Sequence, residues 1–189
     1  MEADWSVELG AGLPVIDADW PGFVDLRRNP ELVDSIPEAA AELVLREALA
    51  ILNAAGSLVY TCKCDVWVLS AEEIDPDEFG CAAGHTCATG LASWIDVIAR
   101  DPRLFASFEA HEAWMRGATE MVRAESASCS RVEWVVRSAL AGGRDGFGIT
   151  VYAAGCGSDT KAAHAAWERA VRAAAAATMR EVRASSSIG

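Results

Sequence analysis

The chain has 189 residues, 52% of them apolar, which suits one domain with a sizeable core and excludes general disorder. Lysine and arginine number 16 against 28 aspartates and glutamates, a net charge of −12, which disfavours nucleic acid and anionic membrane surfaces as partners. The sequence holds no apolar run long enough for a spanning helix, so no membrane partner is expected. The acidic start Met1-Glu-Ala-Asp4 lacks the features of a secretory signal, so a cytoplasmic location with reduced cysteines is the expectation.

In chain order, Trp5–Leu9 alternates and predicts a short strand, closed by Gly10-Ala-Gly12. Val15-Ile16 and Gly22–Leu26 read as two further short strands, with Trp20-Pro21-Gly22 turning the chain between them. Ser35-Ile-Pro-Glu38 has capping-box spacing and predicts a helix from Ser35 to about Asn53. Leu58–Ser70 has period 2, with Leu58, Tyr60, Cys62, Cys64, Val66 and Val68 on an apolar face and Lys63 and Asp65 on the other. Its length predicts a central strand with Cys62 and Cys64 in the core.

Residues 71–90 read as an irregular acidic loop carrying Cys81, His85 and Cys87. Trp94–Val97 fits either a strand or a helical turn. Asp101-Pro102 opens a helix to about Glu125, with Leu104, Phe108, His111, Met115 and Val122 near one stripe. Arg131–Arg137 and Gly146–Tyr152 both alternate around Ala141–Gly146, which predicts an antiparallel hairpin with a loose tip. Ser158-Asp159 caps a final Ala-rich helix from Ala162 to Arg183, and residues 185–189 form a frayed tail after a single domain of residues 1–184.

One echo spans the chain. Phe23-Val-Asp-Leu26, Asn29-Pro30, a helix and a Trp67 strand are matched by Trp94-Ile-Asp-Val97, Asp101-Pro102, a helix and a Trp134 strand. Internal duplication is one reading; the recurrence of common parts is the other. The expected fold is α+β: a mixed or mainly antiparallel sheet of about five strands with three main helices on one face.

No catalytic motif survives inspection. Two residues along an extended strand set Cys62 and Cys64 roughly 6.5–7 Å apart. Two sulfurs on one zinc lie about 3.8 Å apart. No metal or other cofactor is therefore assigned, and a zinc set from Cys81, His85 and Cys87 stays as an alternative. Asp75–Gly80 starts like a calcium loop but has Phe79 where an oxygen ligand belongs, and Thr86 where the bidentate glutamate belongs. His111-Glu112 is followed by Met115 rather than a second histidine, so it reads as a core-edge histidine. Gly155-Cys-Gly157 lacks the lysine of a phosphate loop and reads as a tight turn before a capped helix.

The remaining constellation is polar: Lys63 and Asp65 on one strand, Arg131, Glu133 and Arg137 on another, Thr150 and Tyr152 on a third. If those strands are neighbours, their side chains share one face. The alternative is an ordinary solvated face with cross-strand ion pairs. The functional expectation is a non-catalytic binding or accessory module, in which seven tryptophans offer anchors for self-association or another partner. The competing expectation is a small enzyme using Asp65 and Glu133 as acid and base.

Overall fold

In the computed structural model, residues 1–10, 14–17 and 22–180 are described. The expectations for Trp20-Pro21, for Gly12, for the helix end at Arg183 and for the tail 185–189 lie outside those residues. The strands are β1 (Glu2–Glu8), β2 (Val15–Asp17), β3 (Val59–Leu69), β4 (Thr89–Ala99), β5 (Ser130–Ala141) and β6 (Arg144–Gly157). The helices are α1 (Pro37–Ala41), α2 (Leu43–Asn53), α3 (Pro102–Ala106), α4 (Phe108–Arg123) and α5 (Thr160–Thr178). The fold is α+β, with one mixed sheet ordered β1-β5-β6-β4-β3 and β2 continuing the β1 edge along β5. β1 and β2 run parallel to β5, and the other pairings are antiparallel. Among the described residues no helix is long and apolar enough to cross a membrane.

The three longer helices, α2, α4 and α5, pack on one face of the sheet. Alternation in β5 and β6 sends Val132, Trp134, Val136, Ile149 and Val151 into that core. The Trp134 indole donates to Thr178 and the Trp167 indole to Ser93, so both buried N–H groups are satisfied. Gly155 lets the α5 backbone rest directly on β6, because a Cβ there would collide with the backbone nitrogen of Trp167. The β5–β6 connection is tight rather than loose: Gly142 and Gly143 both take positive φ, 55° and 73°, as a two-residue hairpin turn requires.

Several expectations are corrected. The 58–70 strand is not central. β3 lies at an edge, and β4, ambiguous in the sequence, takes an inner place beside β6. A bulge between Thr61 and Lys63 breaks the simple alternation. Thr61 then faces the helices, where Asn53 at the end of α2 binds it, and Tyr60 turns to the opposite face. Past the helical layer, Val68 is 68% exposed. Gly22–Leu26 is not a strand but a coil running into turns. Ser35 does not cap a helix; Asn29-Pro30 winds a 3-10 turn (Pro30–Ser35) first, and the Ser35 hydroxyl donates back to the Leu32 carbonyl. His111 is a core residue rather than an edge one, 0% exposed, with Nδ1 against the Ser107 carbonyl.

The echo acquires a helical counterpart. Pro37 and Pro102 each lead a five-residue helix, a single extended residue follows (Glu42, Ser107), and a longer helix continues. The leading segments do not correspond, since Trp94–Val97 lies in β4 and Phe23–Leu26 is coil running into a turn, whereas Trp67 and Trp134 both lie in strands, β3 and β5.

Candidate functional site

With helices on one side, the other face of the sheet carries the polar rows. Register sets Lys63 beside Asp96 and Asp96 beside Thr150 in one row. Asp65, Trp94, Tyr152 and Glu133 form the next, and Arg137 follows further along β5. The six residues singled out from the sequence, Lys63, Asp65, Arg131, Glu133, Arg137 and Tyr152, therefore share one face of one sheet.

They are not equivalent there. Lys63, Arg137 and Tyr152 line a cleft of about 580 Å³ together with Trp94, Asp96, Thr150, Pro14 and Ile16. Two other clefts measure about 240 and 210 Å³. A few hundred cubic ångströms is the range of small-molecule sites. Asp65 stands outside the lining and accepts from the Val66 amide. Arg131 and Glu133 are also outside it. Arg131 bonds Glu78 of the 70–88 loop at 2.7 Å and Glu133 at 3.3 Å, so it fastens that loop to the sheet.

β2 closes one end of the cleft. The Tyr60 hydroxyl, brought to this face by the bulge, donates to Asp17 at 3.0 Å. Arg27 bonds Asp17 and Asp25 and lies over the Tyr60 ring. Val15 packs above Gly148, whose missing side chain makes room for it.

At the floor is a connected polar chain. The Thr150 hydroxyl donates to Asp96 at 2.6 Å and accepts from Arg137 Nε at 3.1 Å. A second Arg137 nitrogen reaches the Tyr152 hydroxyl at 3.4 Å, and a third pairs with Glu8 at 2.6 Å. Burial raises the pKa of Asp96 above the ordinary carboxylate range, opposed first by the Thr150 hydrogen bond and then by Arg137 and Lys63. Lys63 lies over the Trp94 ring, 5.5 Å from its centre, and makes no ion pair among the described residues. Asp96 was not among the residues singled out from the sequence. It lies in a segment whose period was ambiguous, whereas Thr150 was already placed with Tyr152 in the polar constellation.

A second grouping lies on the same face beyond the cleft. The sulfurs of Cys81, Cys87, Cys129 and Cys156 are all within 4.8 Å of one another. His85 is exposed and is not in this group, which shares Cys81 and Cys87 with the set read from the sequence and adds Cys129 and Cys156. Cys62 and Cys64 are remote from this group. Cys62 is a core residue and Cys64 packs half-buried against the core; burial pushes the Cys64 thiol up to about 12 and raises Cys62 further, as for unreactive thiols.

Comparison with family models, with curated proteins and with solved structures finds no match to this chain.

Proposed function

We propose that the protein is a binding module for a small anionic molecule with an apolar or aromatic part, held in the polar-face cleft. The carrying observation is Lys63, a cation in the cleft lining that makes no ion pair among the described residues, beside the fixed chain Asp96–Thr150–Arg137–Tyr152. An ammonium in that position offers its hydrogens to an incoming anion. Trp94, Tyr152, Ile16 and Pro14 supply the apolar contact area around it. Arg137 is held by Thr150, Tyr152 and Glu8, so little side-chain freedom remains to be lost on binding.

The test uses anilinonaphthalene sulfonate, an anionic aromatic probe, followed by fluorescence. Lys63→Ala should weaken its binding about tenfold, the equivalent of one charge-assisted hydrogen bond. The melting temperature should stay unchanged, because Lys63 is exposed. Equal affinity in the variant would remove the reading.

A second reading has one specific support. A carboxyl group with a raised pKa inside a cleft is the usual setting of a general acid or base. Asp96 is such a group, and since Asp65 and Glu133 lie outside the cleft lining, the enzymatic alternative rests on Asp96.

A further inference from the structure

Cys81 and Cys87 come from the long 70–88 connection, Cys129 from the residue before β5, and Cys156 from the end of β6. Three separate stretches of chain thus deliver four thiol-bearing residues to one point. Cys81 Sγ lies 3.7 Å from Cys87 Sγ and 3.6 Å from Cys156 Sγ, and the Cys87 and Cys156 sulfurs are 2.6 Å apart. Cys81 and Cys129 are joined as a disulfide, while Cys87 and Cys156 are free thiols. A single disulfide leaves those last two sulfurs pressed on the bridge without a purpose. One tetrahedral ion uses all four, with sulfurs about 2.3 Å from the metal and therefore about 3.8 Å from one another.

The backbone around the group is built to hold it. Cys129 takes φ 57°, the one positive value outside glycine among the described residues, and its carbonyl accepts from the Cys156 amide at 3.0 Å. Gly155 and Gly157 flank Cys156, and both are pinned against the α5 backbone, so Cys156 is fixed in place. Successive turns from Asp75 to Cys81 bring the loop sulfur in, with the Cys81 amide bonded to the Pro76 carbonyl.

Besides the Arg131–Glu78 ion pair, the Ser130 amide donates to the Phe79 carbonyl and the Ala88 amide to the Gly157 carbonyl, but the loop buries little apolar surface. Among the described residues, its own apolar cluster contains Ile74 and Phe79 as the large buried side chains, and this cluster is separate from the main core. A metal cross-link is one established means of fixing a segment whose hydrophobic burial is too small.

We propose that the reduced chain binds one zinc ion through Cys81, Cys87, Cys129 and Cys156, as a structural site that clamps the 70–88 loop to the ends of β5 and β6. Four thiolates fill a tetrahedral shell and leave no position for substrate, so the site is not catalytic. Loading requires that a reductant, such as a phosphine, first cleave the Cys81–Cys129 bond, delivering two electrons while two protons give two thiols. The four thiols then release their protons as the metal binds. This inference is independent of the ligand proposed for the cleft, since its readout is metal content and thiol protection.

The full chain is prepared with a phosphine reductant and zinc, freed of excess metal and measured by mass spectrometry under native conditions. One zinc per chain is expected. Replacement by cobalt should give the intense visible absorption of a tetrahedral tetrathiolate. Cys87→Ser should lose stoichiometric zinc, whereas the double variant Cys62→Ser, Cys64→Ser and the variant His85→Ala should keep it. In case a ligand variant fails to fold, thiol accessibility in the unmodified chain gives a second measurement. Zinc should shield four of the six cysteines from a thiol reagent, and a chelator should expose them. A reduced chain that takes up no zinc overturns the assignment, as does bound zinc that survives both Cys87→Ser and Cys156→Ser in folded protein.

Discussion

Asp96 shows how a single residue sets stability against binding. Its carboxyl is held above the ordinary carboxylate range chiefly by burial. The folded protein therefore binds this proton more tightly than the unfolded chain does. The associated stability is present at low pH and is lost as pH rises from the ordinary value, 3.8, through the higher folded one. Asp96→Asn removes the charge and keeps an acceptor for the Thr150 hydroxyl. It should raise the melting temperature at neutral pH and flatten the acidic side of the stability curve, as thermal melts in a pH series would show. A lower melting temperature at neutral pH would mean that Arg137 and Lys63 outweigh burial. His111 has the opposite sign: burial lowers its pKa, so its contribution is lost as pH falls.

At the scale of elements, glycines separate two kinds of packing. Gly117 lies in the middle of α4, and a Cβ there would meet nothing within 4 Å. Gly117→Ala should stabilise the protein by about 0.5–1 kcal/mol, because alanine loses less backbone freedom in a helix. Gly155 lies where β6 meets the α5 backbone, and the atoms in the way belong to the main chain of α5. Gly155→Ala should destabilise by about 3 kcal/mol, since a whole helix must move to admit one methyl group. Chemical denaturation of the two variants gives the comparison, and equal effects would mean that α5 does not rest on the strand as described.

For the molecule as a whole, the two faces of the sheet have different duties. The helical face carries the core, with Leu45, Leu49, Trp134, Ile149 and Trp167 fully buried. Leu45→Ala should cost about 3 kcal/mol from lost burial and the cavity left behind. On the other face, Asp65→Asn should stay within about 0.5 kcal/mol, as exposed positions do. Urea titrations of the two variants test the division. A large loss at Asp65 would mean that the polar face is part of the structural network.

What the sequence determined by itself was local. Alternation in 131–137 and 147–152 set the faces of β5 and β6, because successive side chains along a strand must point to opposite sides. Asp159 does cap the last helix, accepting from the Ala162 amide. Asp101 caps its helix in the same manner, accepting from Arg103. The shared face of Lys63, Asp65, Arg131, Glu133, Arg137 and Tyr152 was legible for that reason, although its division between cleft and loop anchor was not. The tertiary structure decided the rest. Strand order depends on pairings between distant segments, and no short pattern encodes them, so β3 fell at the edge and β4 inside. The bulge at Cys62 turned Tyr60 to the polar face, a change of face that period-2 reading cannot see. The cysteine group is the sharpest case. Cys129 belonged to no motif and Cys156 looked like part of a turn, and they meet Cys81 and Cys87 only because β5 and β6 are adjacent strands whose ends lie under one loop.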